Sequence, residues 1–185
     1  MLLDEAILAR HSTRLYLPRP VPRAALERAL ELATHAPSHT NTQAWRPFIV
    51  TGDALARLKA ALGRQVYGEG WGLAHDDAAV LRNFEFFGAP VAVLVCMSAA
   101  LAGQAALSVG MYAQTLLLAL TETGLGSCVE ISVAGYPGVV AREVGIPGDL
   151  RVLCGVAVGF EDLGARVNRI RVVRDLVERH TAWVQ

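Results

Sequence analysis

Lysine is nearly absent from this chain: Lys59 stands alone among 17 basic residues, and the rest are arginine. Any phosphate the protein binds is therefore met by planar guanidinium forks rather than by ammonium point charges. An excess of either sign is also missing, because 17 acidic residues balance the basic ones. Without a net field there is no draw to nucleic acid or to an anionic membrane. Cysteine is scarce and odd in number. Cys96, Cys128 and Cys154 lack CxxC spacing, and two lie in apolar runs, which reads as reduced, buried thiols in a cytoplasmic protein. The N-terminus, with Asp4, Glu5 and Arg10, is too charged for a secretory signal. No His, Cys or carboxylate cluster has metal-ligand spacing, so no metal is expected. A dinucleotide fingerprint is missing too. Gly124-x-Gly126 has no third glycine in place, so a stable dinucleotide site is not expected.

One stretch lacks charge altogether, from Phe86 to Thr121. Pro90, Gly103, Gln104, Ser108, Gly110 and Gln114 interrupt it, so a membrane span is not expected. It reads as a buried strand, Val91 to Met97, then a helix from about Ala105 to Thr123 that is apolar around most of its circumference. Such a helix must be covered on every side, and the same helix of a second subunit can cover the last face. A homodimer with this helix at the seam is expected.

Elsewhere, helices are expected from Leu3 to about Arg10, from Pro22 to before Pro37, from an Asp53 cap to about Leu62, from Asp76 to Phe87, and from Pro137 to Val144. Pro47 to Val50 and Val152 to Val158 read as strands, Gly68 to Gly72 around Trp71 as a loop, and the tail from Arg166 as extended, then helical to Thr181. Strands separated by helices make a mixed α and β class. A chain of 185 residues without repeats is expected to form one domain, burying roughly 70% of its unfolded surface.

Three polar segments carry the chemistry. In Arg10-His11-Ser12-Thr13-Arg14, extended alternation puts Arg10, Ser12 and Arg14 on one side. Taken alone, it also reads as a helix end followed by a solvated charge. Pro37-Ser38-His39-Thr40-Asn41-Thr42-Gln43-Ala44-Trp45 gathers hydroxyls and amides after a helix; its plain alternative is a loop of side-chain turns anchored by the Trp. Asn168-Arg169-Ile170-Arg171 adds two more guanidinium groups near the other end. Together they suit a ligand with a phosphate and a flat heteroaromatic ring, such as flavin mononucleotide (FMN).

These segments, with Arg82-Asn83-Phe84, Gly88-Ala89-Pro90, Gly124-Leu125-Gly126-Ser127-Cys128, Tyr136-Pro137, Gly145-Ile146-Pro147, and Cys154-Gly155-Val156-Ala157-Val158-Gly159, occur in an order that resembles the FMN-dependent nitroreductases. The resemblance implies an α+β, three-layer fold with a central, mostly antiparallel sheet flanked by helices. It also implies a homodimer whose C-terminal extension wraps onto the partner. Carried over to this chain, it implies that Arg10, Ser12 and Arg171 hold the phosphate and ribityl chain, with Arg169 near the phosphate and His11 also among the cofactor-binding residues. Arg14 would lie at the pyrimidine edge, where reduction places negative charge. Pro37, Ser38, His39 and Asn41 would approach from the other subunit, and Val133, Ala134 and Gly135 would pass the reactive N5. The implied activity is ping-pong transfer of hydride from NADH or NADPH to nitroaromatics, quinones or related small-molecule acceptors. Other chemistry on the same fold (dehalogenation, enoate reduction, oxygen-dependent flavin cleavage) and a non-catalytic flavin store are the alternatives. Relative to the family the chain is short, and the region from Arg64 to Asp76 is where a substrate cover would be elaborated.

Overall fold

Side chains of the apolar run Val91–Ser98 alternate between two cores, and that alternation organises the protein. The computed structural model describes residues 1–68, 82–101 and 103–185. Among them, β1 (Trp45–Thr51), β2 (Val91–Ser98), β3 (Gly126–Glu130) and β4 (Leu150–Gly159) form one sheet in the order β1-β2-β4-β3. All pairings are antiparallel. A strand covered on both faces is apolar at successive positions, which is why the central strands β2 and β4 read as continuous apolar runs.

On one face, Val91, Val93, Val95 and Met97 meet α2 (Arg23–Ala33) through Leu26, Ala29 and Ala33, and the long central helix Gly103–Glu122 through Val109, Tyr112, Leu116 and Leu120. On the other, Ala92, Leu94 and Cys96 meet Leu55, Leu58 and Leu62 of α3 (Gly52–Tyr67) and Val139 and Val140 of the helix Pro137–Val144. We number these last two helices α4 and α5, respectively. Helices, sheet, helices: the α+β, three-layer arrangement matches the family expectation. The short α1 (Leu3–Ala9) packs against α4. None of the described helices is long and apolar enough to cross a membrane.

Several boundaries differ from expectation. Thr51, extended at the end of β1, stands at the N-cap of α3, and Asp53 lies in the first turn, where its charge complements the helix dipole. That helix continues past Leu62 and through Gly63, because Ala61 and Leu62 are buried and no proline occurs before Gly68 at φ 70° ends it. The strand β3 was not foreseen. It is a five-residue edge strand carrying Ser127 and Glu130, and its alternation is too short and too polar to stand out. The tail forms no α-helix. It makes 3-10 turns at Arg166–Arg169 and Val177–Arg179 and is otherwise irregular, since its apolar residues stay exposed and do not pack into the cores of the described residues. The loop around Trp71 and the helix from Asp76 lie outside the described residues, except that Arg82 to Phe84 are helical and Phe86–Gly88 form a 3-10 turn.

Candidate functional site

After α1 ends, residues 12–17 run alongside the sheet edge. Ser12 bridges Ser127 in parallel, the Thr13 N–H donates to the Ser127 carbonyl at 3.0 Å, and Tyr16 bridges Glu161. Strand-like alternation follows. Thr13 is turned inward at 1% exposure, while Arg10, Ser12 and Arg14 stay half-buried. Glycine at 126 is what admits Thr13: a Cβ there would lie 2.6 Å from Thr13 Oγ1. His11 turns elsewhere, its Nδ1 2.9 Å from the Ala9 carbonyl and its Nε2 2.9 Å from Glu161 Oε1, so both ring nitrogens are already engaged.

The C-terminal segment is clipped to this one by Asn168, which is 1% exposed. Its Nδ2 donates to the Leu15 carbonyl at 2.8 Å and the Asp162 carbonyl at 3.0 Å. Beyond the clip, Arg171 curls back to donate to the Asn168 carbonyl at 2.6 Å. The result is a cavity of about 560 Å³ lined by Arg10, Ser12 and Arg14 from one segment, Arg171 and Arg174 from the other, and Gln114 from α4. His11 also touches it, and Ile7, Leu8, Ile170 and Val172 supply apolar wall. Among the described residues no carboxylate lines it. Arg169 is not in the lining; it donates to the Gly164 carbonyl at 3.4 Å on the exposed side.

The Pro37 to Trp45 segment lies elsewhere in the same chain. Trp45 stacks on Tyr112 of α4, with centroids 4.9 Å apart, and the His39 N–H donates to Ser108 Oγ at 3.1 Å. Between these anchors Thr40, Asn41 and Gln43 all have positive φ, at 48°, 56° and 47°. Non-glycine residues in that region are strained, and such strain concentrates at functional loops. Ser38 Oγ accepts the Gln43 N–H, and Thr40 and Thr42 hydroxyls both donate to the His39 carbonyl, holding the loop from within. Pro37 borders a second, open cavity of about 610 Å³ along α4 with Leu107, Gly110, Met111 and Gln114. Gln114 lines both cavities. Within one chain, therefore, the cationic cavity and the hydroxyl-rich loop stay apart.

Val133, Ala134 and Gly135 belong to a 3-10 turn, Ile131–Gly135, that follows β3. Val133 is fully buried in the core and Gly135 is exposed; none of the three lines the cationic cavity. Just before the turn sits Glu130, 2% exposed, its carboxyl pushed up to about 7 by burial, with the Cys128 thiol and Arg14 opposing. Burial also pushes the Cys128 thiol up to about 12, so it stays protonated. Gln114, Glu130 and Arg174 escaped the sequence reading. Only Glu130 left a signal there, as a lone charge in an apolar run.

The chain superposes on the crystal structure of the FMN- and NADPH-dependent nitroreductase NfnB from Sphigopyxis sp. strain HMH with a TM-score of 0.91, at 30% identity and 100% coverage of both chains. It is similar to the FMN-dependent nitroreductase NfnB from Mycobacterium smegmatis, solved in complex with NADPH, with a TM-score of 0.87, 28% identity, and coverage of 98% of this chain and 97% of that one. It is 27% identical to the 4-nitrobenzoate reductase of Pseudomonas putida over 215 residues, covering 98% of this chain and 95% of that protein. The layered fold and its neighbours define the class, that of α+β flavin-dependent oxidoreductases. More narrowly, the family model described as Nitroreductase family matches residues 7–160, and the chain belongs to that family.

Proposed function

We propose that the cavity of Arg10, Ser12, Arg14 and Arg171 holds FMN in a homodimeric, cytoplasmic enzyme that passes hydride from NADH or NADPH to nitroaromatics, quinones or similar acceptors. The observation that carries this reading is the convergence of Arg10, Arg14, Arg171 and Arg174 on one cavity with no carboxylate among the described residues that line it. Clustered cations repel one another, and an anion relieves them. Guanidinium forks suit a phosphate; the Ser12 hydroxyl and Gln114 amide suit a polyol chain; a volume of about 560 Å³ is in the range of small-molecule sites. These residues fit FMN. When bound, FMN supplies the two-electron chemistry, accepting hydride from one substrate and giving it to the next.

The chain's own residues bind and orient. Arg10 and Arg171 neutralise the phosphate, with Arg169 adding positive charge at the rim. Arg14 would face the pyrimidine edge and steady the charge that reduction places there. Val133 to Gly135, which lie outside this cavity in the turn after β3, would offer backbone to N5 from that side. Pro37, Ser38, His39 and Asn41 of the partner subunit close the site, their loop pre-shaped by its internal hydrogen bonds. One shared space for donor and acceptor makes the kinetics ping-pong.

The dimer is supported by apolar surface that a lone chain leaves open. Val172, Val173, Leu176, Val177, Trp183 and Val184 in the tail are 66% to 94% exposed, and Leu107 on α4 is 69% exposed. Contiguous apolar surface of this kind marks an interface. A second copy seated along α4 covers Leu107 and accepts the tail.

Purified protein should be yellow, elute as a dimer, and oxidise NADH or NADPH anaerobically only when 4-nitrobenzoate or nitrofurazone is present. A colourless monomer indifferent to added FMN would overturn the reading. Flavin-loaded protein that turns over with neither nicotinamide nucleotide would reduce it to a flavin store.

A further inference from the structure

Glu130 ends β3 with its Oε1 buried and without a hydrogen-bond partner, and the mechanism above does not use it. A carboxyl so placed is costly unless something needs it. Its surroundings hold few charges. On its own strand stands Cys128, whose thiol donates to the Val129 carbonyl at 3.9 Å. The N-terminal segment runs beside β3 through the Ser12–Ser127 bridge and brings Arg14 and Tyr16 to its side; the Tyr16 hydroxyl donates to the Ala157 carbonyl at 3.2 Å, with Glu161 beyond Tyr16. Arg82 reaches the same segment, donating to the Arg14 carbonyl at 3.3 Å. Opposite Glu130, β4 presents Gly155, and the turn Ile131–Gly135 carries no charge. Among the described residues Arg14 is thus the cation that acts on Glu130, and it is also one of the cations that line the candidate cofactor cavity.

We propose that Glu130 is a positioning residue that acts through Arg14: it takes up a proton when the flavin in front of Arg14 is reduced, and so tunes the flavin's potential with pH. The inference rests on the proposed placement of Arg14 beside the ring. Ionised, Glu130 cancels part of the Arg14 charge. Protonated, it leaves that charge free to favour electrons on the flavin. The carboxyl is held at about 7 before reduction, so both forms are present near neutrality. Negative charge added nearby raises its proton affinity further, so the extra uptake falls above pH 7. The balance is simple. For two electrons delivered by dithionite, the flavin takes one proton, and Glu130 takes a second from solvent, forming only a carboxyl O–H bond.

The test is a redox titration of the holoenzyme from about pH 5.5 to about pH 9. For a two-electron couple, each linked proton contributes about 30 mV per pH unit. Wild type should steepen from about 30 toward about 60 mV per pH unit above pH 7, while Glu130→Gln should stay near 30 and lie above wild type at the alkaline end. A wild-type slope near 30 throughout that range overturns the inference. So does a steep segment that survives in Glu130→Gln, because the second proton then resides on the flavin. If that variant fails to retain flavin, the infrared difference spectrum of photoreduced wild type decides. A new band from a protonated carboxyl is expected, and its absence overturns the inference. Arg14→Gln tests the placement beneath it. A lowered potential upholds that placement, and a lowered potential alongside an unaltered Glu130→Gln slope sinks only the role of Glu130. An unchanged potential removes Arg14 from the ring.

Discussion

Asn168 Oδ1 accepts the Arg14 backbone N–H at 2.8 Å, joining residues 154 positions apart. With its Nδ2 bonds to the Leu15 and Asp162 carbonyls, this one amide holds the N-terminal and C-terminal arginine segments in register. Asn168→Ala removes all three bonds and leaves buried backbone groups bare. It should cost about 2–4 kcal/mol, lowering Tm by roughly 5–12 °C in calorimetry, and it should release FMN on gel filtration.

Removing one cation from the cavity tests the cradle more directly. Arg171→Ala or Arg10→Ala should weaken FMN binding by about 2 kcal/mol or more, which is roughly 30-fold in Kd. Arg169→Ala, whose guanidinium points to Gly164 on the exposed side, should cost less than either. Fluorescence titration of apoprotein with FMN ranks the three. Equal losses would place Arg169 on the phosphate with the others.

Close approach at Gly126 makes a prediction about packing. A Cβ there meets Thr13 Oγ1 at 2.6 Å, so Gly126→Ala should destabilise by about 1–3 kcal/mol in urea unfolding. Pairing it with Thr13→Ala removes the obstructing hydroxyl and should recover much of that loss. A double-mutant cycle reads the coupling, and strict additivity would refute the contact.

Glu130 also sets a pH dependence of stability. Its folded value, about 7, lies above the ordinary value for a glutamate, so the folded protein binds this proton more tightly than the unfolded chain does. Stability from this group is fully present below about pH 4 and is lost as pH rises toward and through 7. The loss is on the order of 3 kcal/mol by pH 8. Urea midpoints of apoprotein should fall over that window, and the fall should flatten in Glu130→Gln.

Deleting residues 175–185 removes Leu176, Val177, Trp183 and Val184, all largely exposed in the single chain, while sparing Arg171 and Arg174. If they seat on a second copy, the shortened protein should sediment as a monomer. A dimer that survives the deletion would assign the interface to α4 alone.

Much of the architecture was legible because its signals are local. The continuous apolar runs Val91 to Met97 and Val152 to Val158, and the helical spacing in α2, need only a few neighbouring residues to declare themselves. The alternation of Ser12, Thr13 and Arg14 held for the same reason. What stayed hidden depended on partners far along the chain. β3 is a strand because β4 pairs with it, and the tail is not an α-helix because its apolar side chains stay exposed and do not pack into the cores of the described residues.

The order of motifs along the chain was enough by itself to place the family and, through that resemblance, the layered fold and a flavin cofactor, and its three polar segments pointed to a ligand with a phosphate and a planar ring. Only the tertiary structure decided which guanidinium groups share a cavity, that His11 turns to Glu161, and that Arg174 and Gln114 join while Arg169 faces outward. The reason is physical. Periodicity encodes which way a side chain points within its own element, whereas convergence of elements more than a hundred residues apart is set by long-range contacts such as those of Asn168 and Gly126, which no local pattern records.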